Sequence, residues 1–206
     1  MAKGILFVIS APSGAGKSTL SAGLLNEVPD LVYSISLTTR SPRKGEVNGR
    51  DYFFVPEPEF NRRKDAGEFI ECAKVHGFWY GTPKDFLEKA LNSGTGVLLD
   101  IDVQGGRQIR KLFPLAVLIF IAPPSLAELE SRLRHRSQDD ELTIQKRMDN
   151  ARQEIKAAGD YQYLVSNREV SESIQKLKAI VMAERCRMDV LKLAHLEEHK
   201  IVHPKE

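Results

Sequence analysis

The sequence predicts an α/β domain: a parallel sheet flanked by helices, carrying a small, mostly β insertion. Three observations predict it. Continuous apolar runs recur along the chain, as strands buried on both faces require. Helix-periodic segments separate these runs, and strands alternating with helices imply a parallel sheet covered on both sides. A glycine-rich turn joins the first apolar run to the first helix.

The elements follow in chain order. ILFVIS (5–10) is the first strand, and after Gly16 the residues Leu20, Leu24, Leu25 and Val28 recur at helical spacing. GVLLDID (96–102) is a second buried strand ending in two aspartates; LAVLIFIA (115–122) is a third and YQYLVS (161–166) a fourth. Ser125 and Glu128 form a capping box ahead of Leu126, Leu129 and Leu133. DDELTIQKRMDNARQEIKAAG reads as a further helix stopped by Gly159, and a long amphipathic helix fills much of 170–195. Residues 33–82 break the alternation. YSISLTT, DYFFV and FIECAKV are short strands there, joined by the turn-rich RSPRKGEVNGR. The division expected is a core of 1–32 and 83–206 and an insertion of 33–82. The basic, leucine-poor RLRHRSQDD (132–140) is the other candidate for a mobile excursion.

Composition bounds the function. The chain has 206 residues, 42% hydrophobic and 28% charged, the make-up of an ordinary soluble globular protein. A net charge of +2 gives no reason to expect nucleic acid or a membrane as partner. Cys72 and Cys186 lie too far apart in sequence for a C-x-x-C pair, so free thiols in a reducing compartment are expected. Residues 1–10 hold one Lys and a short apolar run, without the longer apolar region and cleavage site of a signal peptide. No apolar run reaches transmembrane length. A cytoplasmic location is expected.

SAPSGAGKST (10–19) carries the chemistry. It fits the phosphate-loop pattern G-x-x-x-x-G-K-[ST] at Gly16, Lys17 and Ser18, with Ala11 in place of the opening glycine. Such a loop works because backbone N–H groups and a helix N-terminus converge on anionic oxygens. Gly14 and Gly16 permit backbone shapes that a Cβ would obstruct. Lys17 is expected to reach the β- and γ-phosphates, and Ser18 to offer its hydroxyl to Mg²⁺. Ala11 stands at the strand's end, where extended backbone tolerates a methyl group. Asp100 and Asp102 emerge at the C-terminal end of a parallel strand, the crevice where α/β ligands bind, and are candidates to orient Mg²⁺ waters or hold a substrate.

The insertion supplies the phosphate acceptor's side. TTRSPRKGEVNGRDYFF spaces Arg40 and Arg43 three residues apart, with Tyr52 following. The pattern T-T-R-x-x-R-x-x-E-x-x-G-x-x-Y-x-F resembles the signature of guanylate kinases, which convert GMP and ATP into GDP and ADP. The similarity runs over nearly the whole chain, through SAPSGAGKS, EFIE, WYGT, LLDIDVQG and IFIAPPS, and Ala11 is a variation that bacterial members share.

The resemblance implies roles residue by residue. Arg40 and Arg43 match the grip on the GMP phosphate, for which arginine's fork is suited. Tyr52 and Tyr80 match the hydroxyls completing it. Glu71 matches the guanine-reading carboxylate, with Ser36, Thr82 and Asp102 as its neighbours; read on its own, Thr82 is the N-cap before Pro83. Ala11, Pro12, Ser13, Gly14, Ala15, Gly16, Lys17, Ser18 and Thr19 form the ATP-phosphate cradle. Arg132, Arg136 and Arg147 match arginines of the family's helical lid, here at about 125–155, that close over ATP, and Asn167 resembles an adenine-site residue. Arg134 has no counterpart and reads as solvated, while Ser137 replaces the glycine usual after the second lid arginine. Lys17, Arg40, Arg43, Arg136 and Arg147 are the implied catalytic set, with Mg²⁺ on Ser18 and Asp100 behind a water. The implied partners are the small molecules GMP and ATP, with a homo-oligomer open, and the implied setting is guanine nucleotide synthesis and salvage.

The attacking oxygen already belongs to a phosphate anion, so no catalytic His or nucleophilic Ser is expected; positioning and electrostatics supply the catalysis. HLEEH (195–199) formally fits a zinc-protease pattern but has only seven residues after it for a third ligand, and is declined. Two other functional classes compete. A non-catalytic guanylate-kinase-like binding module would typically have lost Gly14, Gly16, Lys17 and Ser18. A kinase for another small acceptor would not need Glu71 beside TTRSPR.

Overall fold

The computed structural model describes residues 4–75, 77–136 and 140–187, with the side chain of Arg136 outside that description. Ser137 and the HLEEH stretch also lie outside the described residues.

The core is a five-stranded parallel sheet of β1 (Leu6–Ser10), β2 (Leu31–Tyr33), β7 (Gly96–Asp100), β8 (Val117–Ala122) and β9 (Tyr163–Ser166), ordered β2-β7-β1-β8-β9. Alternation along β1 shows why the strands are apolar throughout. Phe7 and Ile9 face a cluster with Leu20, Leu24, Leu177 and Val181, from α1 (Lys17–Glu27) and α7 (Val170–Arg185). Leu6 and Val8 face the opposite cluster with Leu87 and Ile109, from α3 (Lys84–Asn92) and α4 (Val103–Leu112). The four expected strands are present. The fifth, β2, is three residues long, and its Tyr33 belongs to the core sheet, so the YSISLTT stretch is divided between two sheets.

The second sheet has order β4-β3-β6-β5, from β3 (Leu37–Thr38), β4 (Phe53–Phe54), β5 (Phe69–Val75) and β6 (Phe78–Pro83). Helix α2 (Glu57–Asp65) gives it a core of its own: Phe60 is fully buried and stacks on Phe69 and Trp79 at centroid distances of 4.6 and 5.9 Å. At its β5 edge this sheet is tied to α4, where Gln108 Nε2 donates to Cys72 O at 2.9 Å and Gln108 Oε1 accepts from Cys72 N at 3.3 Å.

Two helices, α5 (Leu126–Arg136) and α6 (Glu141–Lys156), pack through Leu129, Leu133, Ile144, Met148 and Ala151. The Ser125 cap is present, its Oγ accepting from Glu128 N at 3.0 Å. Arg134 pairs with Glu130 on its own helix and with Glu141 on α6, so this exposed side chain bridges the two helices rather than standing alone in solvent. Gly159 is not the helix stop: α6 gives way at Ala157 to a 3₁₀ turn over Ala157–Asp160, and Gly159 is absent from the left-handed glycines. Thr82 is not an N-cap either. Strand β6 runs through it to Pro83, which takes the cap position of α3. Among the described residues no helix is long and apolar enough to cross a membrane.

Candidate active site

The turn between β1 and α1 is set by two left-handed glycines, Gly14 at φ 93° and Gly16 at φ 94°. An L side chain is strained at either position. A Cβ on Gly14 would also stand 2.9 Å from Leu133, and one on Gly16 would run into Asn167. Ala15 N closes the turn on Pro12 O at 3.0 Å. Ala11 and Ala15 are buried in the core behind the turn, while Ser18 and Thr19 are exposed at the start of α1. Asn167, 2% exposed, follows β9 and donates its Nδ2–H to Ala15 O at 2.8 Å. It therefore supports the turn from beneath, through the backbone.

Lys17 leaves the turn towards the end of β7, where its Nζ pairs with the Asp100 carboxylate and donates to Ile101 O at 3.0 Å. Burial draws the Lys17 ammonium down, but Asp100 outweighs it and leaves the group above its ordinary range. Asp100 is also held by Ser21 Oγ at 3.2 Å. Asp102 caps α4, accepting from Gly105 N at 2.9 Å and from Gln104 Nε2 at 3.0 Å. Ser13 is reached from α6 by Arg147, whose Nη2 donates to Ser13 Oγ at 3.0 Å.

The opposite wall comes from the second sheet. Glu71 on β5 is 4% exposed and accepts from Thr82 Oγ1 at 2.6 Å across the β5–β6 pair. Helix α4 passes close enough that a Cβ on Gly105 would lie 2.5 Å from Glu71 Oε2. Burial, seconded by the negative charge of Asp102, pushes the Glu71 carboxyl up to about 7 despite the Thr82 bond. Beyond it Arg40 is nearly buried, packed over the Tyr52 ring at 5.6 Å, with its Nε donating to Tyr80 Oη at 3.2 Å.

These walls enclose a cleft of about 740 Å³. Pro12, Ser13, Gly14, Gly16, Lys17, Ser18 and Thr19 line one side, with Ala11, Asp100, Asp102 and Arg147. Ser36, Arg43, Tyr52, Glu71 and Tyr80 line the other. Ala15, Arg40, Thr82 and Asn167 stand behind the lining, each bonded to the lining or to the phosphate-loop turn: Ala15 through its own main chain, Arg40 through Tyr80, Thr82 through Glu71 and Asn167 through Ala15. Arg132 is not brought in; on α5 it pairs with Glu128 at 3.0 Å.

Two lining carboxylates escape the sequence reading. Glu46 stands in the quoted signature without a role. Glu154 follows Arg147 by seven residues on α6, two helical turns along the same face, which is the signal that finds it. Burial and the nearby Asp102 raise the Glu154 carboxyl to about 7, opposed by Lys17 and by the Ser13 N–H directed at it.

Comparison with known proteins supplies the family. A family model described as guanylate kinase matches residues 3–184. A guanylate kinase of Caldanaerobacter subterraneus subsp. tengcongensis is 46% identical over 187 residues, covering 91% of each chain. One of Bordetella pertussis is 48% identical over 184 residues, covering 89% of this chain and 86% of its own. The crystal structure of guanylate kinase from Anaplasma phagocytophilum superposes with a TM-score of 0.81 at 33% identity, covering 98% of both chains. With a family model spanning residues 3–184 and relatives 46–48% identical over most of the chain, the chain belongs to the guanylate kinase family.

Proposed function

We propose a division of labour within the cleft for the reaction that family membership gives this chain, transfer of the ATP γ-phosphoryl group to GMP with release of ADP and GDP. The observation that carries it is the single cleft whose two walls differ in chemistry. One wall offers a backbone cradle and Lys17; the other offers a buried carboxylate at one end and arginine and tyrosine donors at the other. ATP lies along Ala11–Thr19 with Lys17 on its β- and γ-phosphates. GMP lies across from it, its phosphate on Arg43, Arg40, Tyr52 and Tyr80, and its N1–H and exocyclic amine on Glu71. Ser36 and Asp102 flank the base, and Thr82 orients Glu71 through their 2.6 Å bond. An oxygen of the GMP phosphate attacks the γ-phosphorus as the bond to the β–γ bridging oxygen breaks. Charge spreads over the transferring group in that transition state, and Lys17, Arg43 and Arg147 meet it with fixed positive charge.

The binding-module alternative is not favoured: Gly14 and Gly16 form the left-handed turn, and Lys17 and Ser18 line the cleft. Residues 33–82 move as one unit over the acceptor, and about 125–155 as a lid that carries Arg132, Arg136 and Arg147 over ATP. Arg132 breaks its exposed pair with Glu128 to do so, a small cost in water. Asn167 acts on the ATP side through Ala15.

Mg²⁺ fits the donor set. Ser18, with its hydroxyl on the loop, would hold the ion, and Asp100, already engaged by Lys17 and Ser21, would orient its waters. Among the described residues no three His, Cys, Asp or Glu gather as a metal cage. When bound, Mg²⁺ neutralises charge on the ATP phosphates. The test is a coupled ADP-release assay with GMP, AMP, CMP and UMP in turn. GMP alone should be turned over efficiently, and comparable kcat/KM for AMP would overturn the assignment of Glu71.

A further inference from the structure

Arg40 has little left to give a phosphate. A guanidinium carries five N–H donors. Nε is on Tyr80 Oη at 3.2 Å, one Nη1–H is on Ser41 O at 2.7 Å, and the other is on Glu46 Oε2 at 3.0 Å. Nη2 donates to Glu46 Oε1 at 2.9 Å. One N–H, on Nη2, has no partner among the described residues. The Nη1/Nη2 fork is occupied by the Glu46 carboxylate, and the Nε/Nη2 fork is half taken by Tyr80.

The same carboxylate also fixes the second arginine. Glu46 Oε2 accepts from the main-chain N–H of Arg43 at 2.7 Å, while Glu46 N donates back to Arg43 O at 3.1 Å. This reciprocal clip, of the kind that closes a helix start, locks the turn from 43 to 46. It leaves the Arg43 side chain free to line the cleft. One group thus sets the position of Arg40 by its side chain and of Arg43 by its backbone.

We infer that Glu46 is a positioning residue for the acceptor phosphate, holding Arg40 and Arg43 at a fixed separation so that Arg43 supplies the fork and Arg40 a single N–H beside Tyr80. The inference rests on the acceptor-phosphate reading above. It explains how two arginines share one small dianion: Glu46 offsets one positive charge, and the diphosphate product is not held by two full forks.

Calorimetry with GMP and with guanosine, which lacks the phosphate, tests this on the whole protein. The parent should prefer GMP. Glu46→Ala should weaken GMP binding by about 10- to 100-fold, the range for a lost charge-assisted network, and leave guanosine within about twofold. Glu46→Gln, which keeps one carbonyl acceptor, should lose less and serves if the alanine variant does not fold. In steady state the KM for GMP should rise by a similar factor while the KM for ATP stays. Unchanged GMP binding in both variants would overturn the inference, and so would a parallel loss for guanosine. Tighter GMP binding would overturn it too, marking Glu46 as a competitor of the phosphate. A parent that binds GMP no better than guanosine would instead sink the acceptor-phosphate reading itself.

Discussion

The two walls of the cleft are built by opposite means. On the phosphate-loop side the geometry belongs to the backbone: two left-handed glycines, a turn closed by Ala15 on Pro12, and Asn167 bracing it from beneath. On the other side it belongs to side chains borne on a small sheet, each held by a neighbour: Glu71 by Thr82, Arg40 by Tyr80 and Glu46. A backbone cradle binds any phosphate presented at the right length. A side-chain network can tell one base from another. On the proposed division of labour, the comparison teaches that the common reactant would be handled by main chain and the particular one by side chains.

Four changes would break or sharpen this contrast. The largest effect is expected for Lys17→Met, which removes the charge that follows the transferring group. Turnover should fall by about 10³-fold or more, with GMP affinity within a few-fold of the parent by equilibrium titration. A variant retaining most of its turnover would mean the loop is not the catalytic cradle.

Glu71→Gln keeps the shape but points an amide donor at a guanine donor. The loss of about 2–4 kcal/mol, roughly 30- to 1000-fold in kcat/KM for GMP, should leave the KM for ATP alone. Inosine monophosphate lacks the exocyclic amine; the parent should use it poorly, and the substitution should penalise it less. Asn167→Ala acts on the other wall. It leaves Ala15 O without its partner inside the core, at about 1–3 kcal/mol, and should raise the KM for ATP while sparing GMP binding. Equal damage to both substrates would show the walls to be mechanically one.

The smallest effect is one of pH. Burial pushes the Glu71 carboxyl up to about 7 in the ligand-free protein, and on the proposed assignment only its carboxylate would accept from both guanine donors. Below that pH a proton must leave when GMP binds, so affinity should fall by about tenfold from pH 8 to pH 6, and Glu71→Gln should flatten that component. Ligand-free stability should run the other way. A carboxyl whose folded value is raised above 4.5 favours the fold when protonated, a contribution lost as pH rises from about 4.5 to 7. A parent and variant with identical pH profiles would mean that guanine is read elsewhere.

Much of this was legible in the sequence, and unevenly so. β1, β7 and β8 announce themselves because a strand buried on both faces has to be apolar throughout. β2 does not, since three residues carry no period. α4 begins VQGG, a poor helix opening, and takes its start from the Asp102 cap instead. The phosphate loop is a contiguous string and reads directly. Glu71 and Thr82 were marked only by resemblance, because the strand pairing that puts them 2.6 Å apart is a matter of register, not spacing. Glu46 is hidden for a related reason, since nothing in a lone loop glutamate says which way its carboxylate points, whereas the helical spacing from Arg147 does mark Glu154.

The pair of bonds between Gln108 and Cys72 has a further consequence. They pin one edge of the small sheet to α4 beside Glu71, while Arg40 and Tyr52 flank the strands at the far edge. A swing of that sheet would turn about the pinned edge as a door about its hinge. With strands about 4.8 Å apart, a rotation of roughly 20° would move β3 by about 3–4 Å and β4 by about 5 Å, yet barely shift Glu71. On the proposed site assignment, the base-reading end would be the hinge stile and the phosphate-gripping end the latch, so that the door would recognise guanine while ajar and close only on the phosphate.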